Sequence, residues 1–366
     1  MAMNGSSPAG MRPVRAVPAH CLPMPTRGHE TRPMKHLFLV HSYITCLVAR
    51  QVVAREGLSP EDVAFLTTRN FTPQDLPYPQ ARAAQTPRIK GSMAHRIRLG
   101  WQVVKTQDRL VHQLTGGESF HLYTPQTMER YIQIIRSNPG CTGFSYLEEG
   151  LNSYCTRAEI ERTHPPTEPG LKEKITYRFR VRESRFFDDG YSRVYGVSNE
   201  VFPDLSNRVV LENVFAKPVD TRLASVENIL ALDALTIHRR IRLESLLVAL
   251  RRLGMHLSSG GVTQIHYKLH PAQIESGEGD RIRTTLHEGG VRAVQLPDQV
   301  CLEELAYARP DIRYFVNLSS VGLYASLQGC TVFSYANWVA QAEPGFTRYI
   351  ELTPAVFRDH VEFFPA

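Results

Sequence analysis

Three short stretches carry side chains that could do chemistry: Glu148-Glu149-Gly150, His270-Pro271 and Ser319-Ser320. A carboxylate in a semi-enclosed cleft can act as general base toward a hydroxyl, and a glycine after it lets the chain turn sharply and leaves room for a ligand. Proline suits the first position of a helix, because its missing N–H would be unpaired there anyway. His270 is thereby placed at a helix mouth, where an imidazole can hold or protonate a phosphate. The two serines precede VGLYASLQ, a short helix pattern, and offer an anion two hydroxyls, backbone N–H groups and a helix dipole. Each stretch also has a plainer reading, since acidic pairs before glycine are often solvated turns and both serine and histidine cap helices. Glu303 and Glu304 open the helix pattern CLEELAYA, where they suit ribose hydroxyls or simply complement the dipole.

Adjacent residues at a strand exit point in opposite directions, so only one of Glu148 and Glu149 can face a substrate while the other braces the loop. Asp188-Asp189-Gly190 is a second acidic pair before glycine, but it follows an Arg- and Phe-rich segment that is no clean core strand. It ranks behind the first. His164-Pro165 lies in a Pro-rich stretch with no strand ahead of it and is set aside.

The elements that would position these groups alternate. MKHLFLVHSYITCLVARQVV reads as a buried strand and a helix, followed by DVAFLTT, SFHLYT, the helix TMERYIQIIRS and the strand TGFSYLE. Such alternation predicts a parallel sheet covered by helices. A second alternation begins near 208 with RVVLENVF and continues through one long helix over 225–254, broken near 238 and capped by Gly254. Three strand-to-helix units follow: TQIHYKLH with PAQIE, RAVQL with CLEELAYA, and IRYFVNL with SSVGLYASLQG. Ligands of open parallel sheets bind beyond the carboxyl ends of the strands, and all three stretches fall there.

Taken in order, YLEEGLNSY, KLHP and NLSSVGLYASL resemble the bacterial sialyltransferases of GT-B fold, the lipooligosaccharide sialyltransferases and capsule polysialyltransferases. Those families carry an acidic pair before glycine in the N-terminal half, then His-Pro and a Ser/Thr pair in the C-terminal half. The resemblance covers about residues 35–345 and implies two Rossmann-like domains facing a central cleft. The corresponding organisation is a disordered extension at 1–33, an acceptor-side domain at 34–207, a CMP-sugar-binding domain at 208–350, and a tail at 351–366 that packs back on the first domain. Met1 and Met34 both remain candidate starts.

By this resemblance Glu148 is the base that deprotonates an acceptor hydroxyl, with Glu149 and Gly150 supporting its loop. His270, with Pro271, contacts the CMP phosphate and can act as general acid; Ser319 and Ser320 hold that phosphate, and Glu303 binds the ribose. The reaction implied is inverting transfer of sialic acid, or a related nonulosonic acid, from its CMP ester to a cell-surface glycan or glycolipid. A single phosphodiester needs no metal, so neither metal nor cofactor is expected. A transferase using CMP-Kdo and a non-catalytic GT-B scaffold in surface-polysaccharide assembly are the alternatives.

The 366 residues are 42% hydrophobic and 21% charged, ordinary globular composition, with a net charge of +6 that permits an anionic partner. No helix-turn-helix, RNA-binding or zinc motif positions that charge, so no nucleic acid is expected. The six cysteines are dispersed without metal-ligand spacing and read as reduced packing residues. No apolar run reaches the length of a membrane span and the N-terminus has no secretory pattern, which predicts a cytoplasmic protein. Between 82 and 109 seven Lys or Arg accompany one acid, Asp108. That run is a solvated face, or an attraction for an anionic acceptor or lipid headgroup and thus for peripheral contact with the inner membrane.

Overall fold

The computed structural model describes residues 34–68, 71–73, 76–83, 91–216, 223–274 and 276–366. The expected disordered extension at 1–33 and the part of the basic run at 84–90 lie outside them. In the first half, strands β1 (Lys35–Val40), β2 (Val63–Thr67), β3 (Gln80–Arg82), β4 (Phe120–Thr124), β5 (Cys141–Leu147), β6 (Val194–Gly196) and β7 (Arg208–Val210) form one sheet in the order β3-β2-β1-β4-β5-β6-β7. Every pairing is parallel. Parallel strands are covered on both faces, which is why Leu37 to Val40 of the interior strand β1 are an apolar run and fully buried. The helices of this half are α1 (Tyr43–Arg55), α2 (Met93–Thr115), α3 (Arg130–Arg136), α4 (Arg157–Thr163) and α5 (Leu171–Thr176). Helix α1 starts where it does because Ser42 and Thr45 form a reciprocal capping box at the exit of β1.

The second sheet contains β8 (Asn228–Ala231), β9 (Gln264–Lys268), β10 (Arg292–Gln295), β11 (Arg313–Val316), β12 (Thr331–Ser334) and β13 (Glu362–Phe363), in the order β10-β9-β8-β11-β12-β13. It too is parallel throughout. Around it stand α6 (Leu243–Ser259), α7 (Glu278–Glu288), α8 (Leu302–Ala308), α9 (Ser320–Leu327), α10 (Ala336–Ala342), α11 (Thr347–Glu351) and α12 (Ala355–His360). One apolar cluster runs from the first sheet onto the α8 and α9 side of the second, so the two halves share a core there. A separate cluster, including Leu246, Leu250, Ile282 and Trp338, fills the other face of the second sheet.

Three expectations are corrected. Arg208–Val210 does not open the second half: β7 pairs with β6 at the edge of the first sheet, and the second sheet begins at Asn228. The segment 225–254 is not one long helix, because Asn228–Ala231 is the central strand of that sheet and α6 begins only at Leu243. A short run buried on both faces carries no period, and ILAL reads equally well as helix or strand. Gly254 lies inside α6, not at its end, and its role is close approach. A Cβ there would stand 2.9 Å from the Cα of Gly289, at the end of α7.

The third concerns the tail. Instead of packing mainly on the first half, β13 extends the second sheet beside β12, and Phe364 stacks on Trp338 with centroids 4.4 Å apart. Its reach to the first half includes His360, whose Nε2 lies 3.1 Å from Glu200.

Candidate active site

The carboxyl ends of both sheets meet at the loop after β5. Glu148 is fully buried there. Its Oε2 accepts the Val197 N–H at 2.7 Å, and its Oε1 accepts the hydroxyl of Tyr324 at 2.8 Å. Tyr324 belongs to α9, so this second bond crosses between the two halves. Burial pushes the carboxyl up to about 7, opposed in part by Tyr154, the Val197 N–H and the Tyr324 hydroxyl. The residue expected to face a substrate is therefore the one that turns inward, with both oxygens engaged.

Glu149 takes the other direction. Its Oε2 lies 3.2 Å from Nε2 of His41, the first residue beyond β1, and both side chains are about one-twentieth exposed or less. The backbone N–H of Glu149 donates to Ser153 Oγ at 2.9 Å, which fixes the turn. His164, set aside in the sequence, stands near enough that the Glu149 charge favours its protonated form, while burial, the larger effect, lowers its pKa and Arg240 adds to the lowering. Gly150 has φ +126°, a conformation that side chains rarely allow. A Cβ on Gly150 would come 3.4 Å from Ser320, so the acidic loop of one half directly abuts the serine pair of the other.

On the second sheet, Ser319 follows β11 as the N-cap of α9 and accepts the Val321 N–H at 3.4 Å, with Ser320 as the first helical residue. His270 follows β9 and caps a short turn: its Nδ1 accepts the Ala272 N–H at 3.1 Å, and its own N–H goes to Gln273 Oε1 at 3.1 Å. An Nδ1 that accepts puts the proton of the neutral ring on Nε2, which makes no hydrogen bond among the described residues. Burial, with His238 nearby, lowers the His270 pKa, so the neutral ring is favoured. Pro271 opens the turn as the spacing implied.

Glu303 is buried at the start of α8, where its Oε2 accepts the Cys301 thiol at 3.3 Å and burial raises its pKa against the pull of Lys268. Burial, with smaller contributions from Cys301, Asp298 and Glu303, raises the pKa of Tyr43, the first residue of α1. Asp188 and Asp189 do not join the site. Arg136 and Arg182 hold Asp188, and Arg157 holds Asp189 at 2.6 Å, so this acidic pair is a structural ion-pair cluster.

Two groups were missed in the sequence. His41 is invisible as a partner of Glu149 because the two are over a hundred residues apart; only adjacency of β1, β4 and β5 brings them together. Asp233 follows β8 and was hidden by reading that strand as helix. Burial pushes its carboxyl up to about 6. Its Oδ1 accepts the Leu235 N–H at 3.1 Å, and Asn317 and Tyr335 stand at the neighbouring strand ends.

No protein-family model and no curated protein matches the chain by sequence. Solved structures are similar in fold. The UDP-GlcNAc 2-epimerase of Methanocaldococcus jannaschii, in complex with UDP-GlcNAc and UDP, shares 11% identity over 82% of this chain and 83% of that one, with a TM-score of 0.50. The UDP-GlcNAc 2-epimerase of Neisseria meningitidis bound to UDP-GlcNAc shares 9% over 90% and 95%, with a TM-score of 0.46. MurG of Acinetobacter baumannii shares 12% over 90% and 96%, with a TM-score of 0.39. At this identity the likeness extends to the fold alone: two parallel-sheet, Rossmann-like domains in the GT-B arrangement.

The Glu148 contacts make a prediction. A carboxyl with a pKa raised from 4.5 to about 7 retains a proton in the folded state that the unfolded chain has already lost. Its stabilising contribution is therefore lost as pH rises through that window. Glu148→Gln removes the titration, so the wild type should lose stability relative to this variant between pH 5 and pH 8 in urea unfolding. Glu148→Ala, which strands the Val197 N–H and Tyr324 hydroxyl, should cost about 1–3 kcal/mol per stranded group. Parallel pH profiles for wild type and Glu148→Gln would contradict the assignment.

Proposed function

We propose that the protein is an inverting glycosyltransferase that moves sialic acid, or a related 2-keto acid sugar, from its CMP ester to a glycan hydroxyl. The observation that carries this reading is the approach of Gly150 to Ser320, where a Cβ on the glycine would stand 3.4 Å away, which sets an acid-bearing loop against an anion-ready helix mouth between the two halves. The motif resemblance adds the donor class. The bases that end β9, Lys268 and His270, suit a donor bearing a phosphate and a carboxylate.

In this reading Glu149, oriented by His41, takes over the base role that sequence order gives to Glu148. It removes the proton from the acceptor hydroxyl as that oxygen forms a bond to the anomeric carbon. The bond from that carbon to the phosphate oxygen breaks on the opposite face, and its electron pair leaves with CMP. Ser319, Ser320 and the first N–H groups of α9 receive the growing negative charge. His270 meets the phosphate as a neutral Nε2–H donor. General-acid transfer from a neutral ring would leave an imidazolate, so hydrogen bonding is the role its environment supports. Glu148 becomes a positioning residue, joining the base-bearing loop to α9 through Tyr324. Glu303 retains the ribose role implied by the resemblance only if its carboxylate turns from Cys301 toward the ligand. The chemistry calls for no metal, since one phosphodiester carries a single negative charge.

Two measurements test this. Replacement of Glu149 by alanine should lower kcat by about 10²- to 10⁴-fold with CMP binding retained; a loss under threefold at saturating substrate would remove Glu149 as base. Calorimetric titration should show binding of CMP in preference to UDP and CDP, weakened about 10- to 100-fold in His270→Ala. Preference for UDP would instead assign the donor class seen in the names of the structural neighbours, and absence of any nucleotide binding by folded protein would favour the scaffold alternative.

A further inference from the structure

Away from the cleft, helices α2 and α5 present aromatic and basic side chains together. Trp101 on α2 is 44% exposed, and Leu171 and Phe179, at the start of α5 and just beyond its end, are each 67% exposed. The two helices are in close contact, because a Cβ on Gly100 would stand 2.3 Å from the Thr176 carbonyl oxygen. Trp101 Nε1 donates to the Ile175 carbonyl at 3.2 Å, and the Arg178 guanidinium lies 5.3 Å from the indole centre. Arg178 and Phe179 have φ of 55° and 58°, a left-handed conformation that non-glycine residues rarely adopt. It turns the chain immediately after α5, where Phe179 stands exposed.

The charges around this patch are of one sign. Arg98 and Lys105 stand three residues before and four after Trp101, on the same face of α2. Lys172 and Arg178 add two more, and none of the four has an ion pair among the described residues. The nearby acids are engaged elsewhere: Glu173 with Arg130, Glu168 with Lys174, and Asp108 with Arg180. Among the described residues no helix is long and apolar enough to cross a membrane.

We propose that this face of α2 and α5 docks on a bilayer containing anionic phospholipid. Trp101, Leu171 and Phe179 enter the headgroup boundary, while Arg98, Lys105, Lys172 and Arg178 meet lipid phosphates. A hydrated polyanion would satisfy the four bases but give three exposed apolar side chains nothing to bury against. A charged bilayer surface satisfies both sets at once. Helix α2 returns the chain toward the start of β4, so its first turns lie at the level of the strand ends. Arg178, at one end of the docked face, lines a pocket with Phe120 and Gly140 at the amino ends of β4 and β5, so the face extends away from the carboxyl-end site. This surface stands on its own geometry and holds whatever donor the cleft takes.

The test uses the full chain and vesicles of phosphatidylcholine alone or mixed equally with phosphatidylglycerol. Flotation should show binding to the mixed vesicles only. Trp101 reports insertion directly, because Trp338 is buried against Phe364 and stays out of reach of lipid. Emission should shift to the blue and be quenched by lipids brominated in the acyl chain. Arg98→Glu with Lys105→Glu should weaken binding by about 20-fold or more, and Leu171→Ser with Phe179→Ser should abolish quenching while leaving the melting temperature unchanged. No flotation with the mixed vesicles at low salt would overturn the proposal. Salt-sensitive binding without quenching, unaffected by the Leu171 and Phe179 variants, would also overturn it and assign the basic face to a soluble polyanion.

Discussion

One buried carboxylate sets the relation between the two halves of the molecule. Glu148 has no exposure, and its two oxygens are divided between a backbone N–H of its own half and a tyrosine hydroxyl of the other. Removing a carboxyl group from water is costly unless hydrogen bonds replace the lost hydration, and the Tyr324 hydroxyl and Val197 N–H supply them. Because Tyr324 lies one turn along the helix that Ser319 and Ser320 begin, whatever holds Glu148 also sets where the serine pair stands. Glu149 and Gly150, next in the chain, are thereby delivered to the cleft in fixed register with the proposed phosphate seat.

The remaining groups of the cleft follow from parallel-sheet geometry. Each strand delivers its next residues at the same end: His41 after β1, Glu148 and Glu149 after β5, Asp233 after β8, His270 after β9, and Ser319 after β11. Burial then tunes them in different directions. It raises the pKa of Glu148, Asp233 and Glu303 and lowers that of His270, so each is biased toward its neutral form. A cleft built this way makes few commitments of charge before a ligand arrives.

Much of this was legible from residue order. The strand patterns around KHLFLV, TGFSYL, TQIHYK and IRYFVN are clear because short apolar or alternating runs bounded by turn residues specify strands, and the motifs at their ends follow from the rule for open parallel sheets. Where the period failed, so did the reading. Asn228–Ala231 reads as helix because the four apolar residues Ile229, Leu230, Ala231 and Leu232 show no single face, and Asp233 is lost with it. The orientation of the glutamate pair was beyond reach for a different reason. Alternation says that one of the two turns inward, but which one depends on Tyr324, far along the chain and in the other half. The pairing of His41 with Glu149 likewise exists only once β1 and β5 flank β4.

The central claim is that the cleft transfers a sugar with inversion, and the stereochemistry of the product tests it most directly. Wild-type protein, a CMP-activated sialic acid and a lipooligosaccharide-type glycan acceptor would be followed by nuclear magnetic resonance, observing the anomeric configuration of the first product formed. The account predicts release of CMP and a glycoside of configuration opposite to that of the donor. A product that keeps the donor configuration, or no turnover by a protein that binds CMP, would contradict it.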